Sequence, residues 1–321
     1  MQLALALLAD AVAAAAEGQP EEAVNLTLLA EKALEGGEGA EVRDTRAAAR
    51  LVRAGQLRVL GDVDAAAAAY RSVIEDFGGD AELELRYRVT AAYANAIQLR
   101  AGFGTVDEAA ALAGELVALR GADPEAEIRA LVAAEREGLL VRWLEAGRDE
   151  EAVEAAQALV AALGADPGER LRVARALLNQ GLALRRLGRE AEVLPAFQQL
   201  VARFDGEAAA GDPELAALVV RAIAECAQIA AARDPQGGLF IADSALAAYG
   251  APEGGPAADE ALADELLRLR TLRARFLGGL GRLDEARAAY DALAADCAAA
   301  PSGFARDLAA LAGRDRAFFG I

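Results

Sequence analysis

The sequence predicts an all-α array of repeated helix pairs, and three observations carry that reading. First, six short segments are near copies of one another: GQPEEA (Gly18–Ala23), GDVDAA (Gly61–Ala66), GTVDEA (Gly104–Ala109), GRDEEA (Gly147–Ala152), GREAEV (Gly188–Val193) and GRLDEA (Gly281–Ala286). The first four glycines are each 43 residues apart and the fifth follows after 41. The 93 residues between Gly188 and Gly281 leave room for one more copy, with a degenerate turn near Gly237. A fixed period in this range marks a stacked repeat array. Second, 86 of the 321 residues are alanine, while aromatics make up 5%. Strong helix formers therefore dominate, and small alanines let helices pack closely. Third, Asp-Pro pairs open several units at Asp123, Asp166 and Asp212, with Asp80 in the same place in another. An acid followed by proline is a helix start.

The unit over 166–205 shows the plan. After Asp166–Pro167, the residues Leu171, Ala174, Leu177, Leu178, Gly181, Leu184 and Leu187 recur every three or four positions. That spacing is one face of an amphipathic helix. Gly188 ends the helix, as a residue free to turn left-handed would. A second helix is expected from about Glu190 to Phe204, with Val193, Phe197, Leu200, Val201 and Phe204 on its apolar side. Pro195 falls in its first turns, where proline is better tolerated than in mid-helix. In the other copies, alanines five residues past the glycine (Ala66, Ala109, Ala152, Ala286) mark close helix contact. Tyr70, Phe197 and Tyr290, nine past it, fill the core between units. Trp143, four residues before Gly147, faces the core in the same scheme.

Paired helices, a glycine turn followed by an acid and alanine, a large residue nine past the glycine and a later Asp-Pro resemble tetratricopeptide repeats. The resemblance covers roughly residues 1–300. The family period is about 34 residues, so the longer period here lengthens the first helix and the connections. HEAT-like helix pairs have a period near this value and remain the rival; the glycine-acid-alanine turn favours the tetratricopeptide reading. The resemblance implies a right-handed superhelical solenoid of about seven antiparallel helix pairs. It places a single array over 1–300 and a capping helix with tail over 301–321. The stretches Arg233–Gly238 (RDPQGG) and Tyr249–Ala258 (YGAPEGGPAA) predict a loose joint near 233–258. The final helix is expected over about Gly303–Ala312. Phe318, Phe319 and Ile321 beyond it either dock back onto the last repeat or form a hydrophobic tag.

Composition narrows function. Net charge is −18, which disfavours phosphate backbones and anionic membrane surfaces. Lys32 is the only lysine among 33 basic residues. Histidine is absent, removing the commonest general base and the Ser-His-Asp arrangement. No phosphate-binding glycine loop of Walker type appears, and Cys226 and Cys297 alone build neither a metal site nor a disulfide framework. The expected catalytic, cofactor and metal residues are therefore none. A carboxylate-dependent hydrolase is the weaker alternative. Buried inert thiols and a reducing cytoplasm are expected, with a Cys226–Cys297 bridge as the other reading. The opening run MQLALALLADAVAAAAEG has the look of a signal peptide but lacks a basic start and is broken by Asp10. It reads better as the first helix of the first repeat. A helix beginning at Met1 leaves open that the chain is a piece of something larger.

What remains is a surface. The resemblance implies a concave groove lined by first helices, and counting back from each glycine places Arg58, Asn95, Gln98, Arg175, Asn179, Arg268 and Arg275 on it. Arginine forks suit carboxylates, so the expected partner is a protein or peptide segment with acidic side chains or a free C-terminal carboxylate. The competing reading pairs these arginines with neighbouring acids of the chain itself. Chaperone-binding members of the family use a lysine-and-asparagine clamp; Asn95 and Asn179 match only its asparagine, in separate units. A free-standing scaffold and a regulatory arm of a larger signalling or defence system both fit this surface. The apolar first helix, residues 3–16, adds an expectation of end-to-end self-association.

Overall fold

A computed structural model describes residues 1–209, 211–250, 260–299 and 302–321, and fifteen α-helices occupy these described residues. They divide into two compact units, Met1–Gly147 and Arg148–Ile321. The first unit holds α1 (Gln2–Ala16), α2 (Pro20–Ala33), α3 (Ala40–Val59), α4 (Val63–Phe77), α5 (Leu83–Phe103), α6 (Val106–Arg120) and α7 (Ala126–Glu145). The second holds α8 (Asp149–Leu163), α9 (Arg170–Arg186), α10 (Glu190–Ala209), α11 (Pro213–Ala231), α12 (Pro235–Tyr249), α13 (Glu260–Gly279), α14 (Leu283–Ala299) and α15 (Gly303–Phe319). In chain order these are seven leading and trailing helices in alternation, followed by one last leading helix.

Five of the six turn glycines (Gly18, Gly61, Gly147, Gly188 and Gly281) have φ between 69° and 81°. At four of these turns the amide of the residue after the glycine reaches back five positions. Asp62 donates to the Leu57 carbonyl, for example, and Arg189 to that of Leu184, at 2.9 and 3.0 Å. That is the Schellman closure of a helix C-terminus. Gly104 departs from the set, with φ −123°. There Thr105 accepts from the Glu108 amide while Glu108 accepts from the Thr105 amide, a capping box. Room is tight at Gly104: a Cβ would lie 2.9 Å from the Arg100 carbonyl oxygen and would press on the Glu108 carboxylate.

The small and large positions of the repeat divide as the sequence predicts. Ala66, Ala109, Ala152 and Ala286 are fully buried, as are Phe197 and Tyr290, with Tyr70 and Trp143 nearly so. In the first unit, Tyr70, Val73, Ile74 and Phe77 of α4 share a core with Leu85, Val89, Tyr93 and Ile97 of α5 and Leu112 and Leu116 of α6. In the second, α9 crosses α10 at Gly181, where a Cβ would stand 2.5 Å from the Phe197 ring. Gly181→Ala gains up to about 1 kcal/mol of helix propensity but overpacks this contact at about 1–3 kcal/mol. We expect a net loss of stability, read as a lower midpoint in urea denaturation; a raised midpoint would contradict the close approach.

Several boundaries differ from expectation. Asp166 caps a short 3-10 turn, Pro167–Glu169, before α9 begins. The trailing helix α10 runs past Phe204 to Ala209, because nothing after Phe204 breaks it. The final helix extends through the tail to Phe319 and is closed by Gly320 at φ 69°. Phe319 packs on Gly278 of α13, whose Cβ would meet its ring at 2.7 Å, while Phe318 is 84% exposed. Within the joint expected near 233–258, Asp234 caps α12 by accepting from the Gln236 amide, and Gly238 is buried against Ala231. Residues 251–258 of that stretch lie outside the described residues. The N-terminal run is helical as the first element, with Ala4, Ala11 and Ala14 buried. Both cysteines are unbridged and buried; burial pushes the Cys226 thiol up to about 11, so it is a poor nucleophile near neutrality. Among the described residues no helix is long and apolar enough to cross a membrane.

Candidate interaction site

The leading helices carry the site. Side by side within each unit, they are joined by polar contacts between residues roughly one repeat apart. In the first unit Arg88 of α5 donates to Asp44 of α3 at 3.0 Å, and Tyr87 of α5 donates to Glu127 of α7 at 2.6 Å. Arg86 donates to the buried Asp123 carboxylate at 2.5 Å, and that carboxylate also accepts from the Glu125 amide just before α7. In the second unit Arg175 and Arg185 of α9 pair with Glu214 and Glu225 of α11. Arg221 of α11 faces Glu265 of α13 at 3.4 Å, and Arg275 of α13 donates twice to Asp315 of α15 at 3.0 and 2.9 Å. A related device joins the trailing helices. Arg120 of α6 donates to the Gly78 carbonyl at the end of α4 at 3.0 Å, and Arg203 of α10 reaches that of Gly164 at the end of α8. Cations at helix C-termini satisfy carbonyls that lack a helical donor.

Against this frame the sequence-predicted residues fall into three groups. Gln98, Arg175 and Arg275 are members of the inter-helix contacts; Gln98 donates to Glu135 of α7 at 3.5 Å. Arg268 pairs with Glu265 on its own helix at 2.8 Å, and its guanidinium lies 4.5 Å over the Phe304 ring of α15. Burial holds its pKa below the usual arginine value, partly offset by Glu265. Asn95 turns back on its own helix, donating to the Ala91 carbonyl at 2.8 Å, and Asn179 is half-buried on α9. Arg58 is exposed in the last turn of α3. Arg268 and Arg275 are brought together: both line a pocket of about 130 Å3 among α11, α13 and α15, with Gln228, Thr271 and Leu308. Arg58, Asn95 and Gln98 belong to the other unit.

Sequence reasoning missed Glu225. Its side chain is 6% exposed and held by both Arg185 and Arg221. Arg221 in turn faces Glu265, which holds Arg268. Five alternating charges thus run from α9 through α11 to α13 and end at the pocket. The signal was present: arginine in one leading helix, an acid 39 to 44 positions later in the next.

The same fold is found in known proteins. The tetratricopeptide repeat family model matches residues 175–206, which span most of α9 and α10. This pair of helices is therefore similar to a tetratricopeptide repeat, and the helix pairs before and after it repeat the same plan. Among solved structures it is similar to BtubC (BKLC) from P. vanneervenii, at 14% identity over 75% of this chain and 91% of that one, with a TM-score of 0.52. A tetratricopeptide repeat protein from Parabacteroides merdae ATCC 43184 aligns over 97% of this chain and 99% of its own, at 10% identity and a TM-score of 0.43. No curated protein matches the chain.

Proposed function

We propose that the chain is a cytoplasmic interaction scaffold with no chemistry of its own, whose leading-helix faces hold a segment of a partner protein. In the second unit the segment presents an acidic side chain or a free C-terminal carboxylate to Arg268 and Arg275. The observation that carries this reading is the pocket these two arginines share among three successive leading helices. Glu265 and Asp315 already hold them, so a ligand carboxylate joins or replaces an internal partner rather than meeting bare cations. Such exchange favours modest affinity and a strong demand for geometry. Nucleic acid and anionic membrane are disfavoured partners for a chain of net charge −18.

The test uses a short fluorescein-labelled peptide of alanine, glutamate and leucine, with its C-terminus free or amidated. We expect the free form to bind more tightly, and Arg268→Glu with Arg275→Glu to weaken it about tenfold. Equal binding of both forms to the unchanged chain would contradict the carboxylate reading.

A second reading rests on a separate observation. Leu3 and Val12 of α1 are 65% and 51% exposed, and Leu28 and Leu29 of α2 are exposed as well. Asp10 is the only charge on α1. This face supports self-association through residues 3–16. Light scattering is expected to show mass rising with concentration, and Leu3→Glu with Val12→Glu to abolish the rise. A strict monomer at all concentrations would refute it.

A further inference from the structure

Two clefts occupy the same place in two different repeats. The first, about 390 Å3, is walled by Asp64, Ala67, Ala68 and Arg71 of α4 and closed by Ala96 and Arg100 of α5. The second, about 630 Å3, is walled by Ala191, Leu194, Pro195 and Gln198 of α10 and closed by Gln228, Ile229 and Ala230 of α11 with Ala232 and Arg233 just past it. Counted from Gly61 and Gly188, the wall residues are the third, sixth, seventh and tenth in both. The cleft therefore recurs at one place in two repeats: it lies between a trailing helix and the next leading helix. One lies in each unit. Apart from Gln228, the lining of the second cleft is distinct from that of the arginine pocket.

The charges in the two clefts also correspond. Each has an acid in the first turn of the trailing helix, Asp64 or Glu190, and an arginine from the next leading helix, Arg100 in the last turn of α5 or Arg233 two residues past α11; the first cleft carries Glu75 as well. Asp64, Glu190, Arg100 and Arg233 form no ion pair among the described residues, although neighbouring arginines do: Arg185 with Glu225, and Arg71 with Glu115 at 3.8 Å. The lining also holds apolar groups, Ala67, Ala68 and Leu112 in one cleft and Leu194, Pro195 and Ile229 in the other. Pro195 has no amide hydrogen, so the Ala191 carbonyl beside it has no helical donor. Volumes of this size with an apolar floor and a few polar groups are those of ligand sites.

We propose that each cleft binds a short peptide motif in which an apolar side chain sits between one basic and one acidic residue. The apolar side chain rests on the floor, the basic residue meets Asp64 or Glu190, and the acidic residue meets Arg100 or Arg233. This goes beyond the carboxylate reading above, since it concerns other residues and a ligand of mixed charge. The probes are acetylated, amidated pentapeptides with central leucine. Its neighbours are lysine and glutamate in either order, two lysines, two glutamates or two serines. Binding is read from amide shifts of Ala67–Arg71 and Leu194–Gln198 in the whole chain.

At least one mixed-charge peptide should shift both segments at about tenfold lower concentration than the two-glutamate, two-lysine and two-serine peptides. In Arg100→Glu with Arg233→Glu, which breaks no internal ion pair, the preference should move to the two-lysine peptide. Shifts at neither segment or only one, equal response to all five, or an unmoved preference in the double variant would overturn the proposal. Arg268→Glu with Arg275→Glu should leave these shifts unchanged, because the amidated probes carry no terminal carboxylate. The two readings therefore fail separately.

Discussion

Phe197→Ala is expected to lower the stability of the second unit by about 3–5 kcal/mol, the cost of emptying a large, fully buried aromatic position. Phe197 is wholly buried in α10, and its ring lies against Gly181 of α9. A glycine has no side chain to swing into the space left behind, so the cavity relaxes poorly and the cost belongs at the upper end. Ala196 and Leu200 beside it are buried too and are held by their own contacts. Urea denaturation followed by helical circular dichroism checks the expectation. A loss under about 1 kcal/mol would mean that the aromatic position nine past the glycine is filler rather than the centre of the hairpin contact.

The second large effect concerns the charge relay at Glu225. Arg221→Leu removes the partner that lies 3.1 Å from Glu225 on the same helix and also faces Glu265. Glu225, 6% exposed, then keeps only Arg185, which is itself 41% exposed. Breaking one side of a buried pair costs about 3–5 kcal/mol, and the surviving Arg185 contact places this variant near the lower bound. The double variant Arg221→Leu with Glu225→Leu should regain most of the loss, because two apolar side chains replace a pair whose desolvation nearly cancels its attraction. A double-mutant cycle in urea measures the coupling. Additive losses would show that Glu225 and Arg221 do not act as a pair.

The hairpin plan was legible because it rests on local rules. A left-handed glycine, an acid at a helix start and an apolar residue every three or four positions are each visible in a handful of neighbouring residues. Gly104 shows the limit: its segment reads like the others, yet Thr105 and Glu108 close the turn by a capping box instead. The length of α15 was misread because Phe318, Phe319 and Ile321 suggested a tail. Arg314, Asp315 and Arg316 continue the helix beneath them, and Gly320 supplies its end.

The candidate site was half legible. Arg268 and Arg275 could be placed on a leading helix by counting, but their internal partners depend on which side chains of the next repeat reach them. Glu225 was hidden for a different reason. A buried acid in a run of alanines looks like any exposed helix glutamate until its two arginines, one on α9 and one on α11, are brought against it. The paired clefts are a third case. Their wall positions recur in the sequence, yet alanines at Ala67 and Ala68 and Leu194 with Pro195 at the equivalent positions do not announce a cavity.

The most direct test of the account is a hydrogen-exchange map of the chain with and without the free-carboxylate peptide. Each helix should be protected and each glycine turn should exchange fast, and the peptide should slow exchange in α11, α13 and α15 around Arg268 and Arg275. Protection running unbroken through the turns at Gly61, Gly188 and Gly281, or a peptide footprint that spares the leading helices, would contradict it.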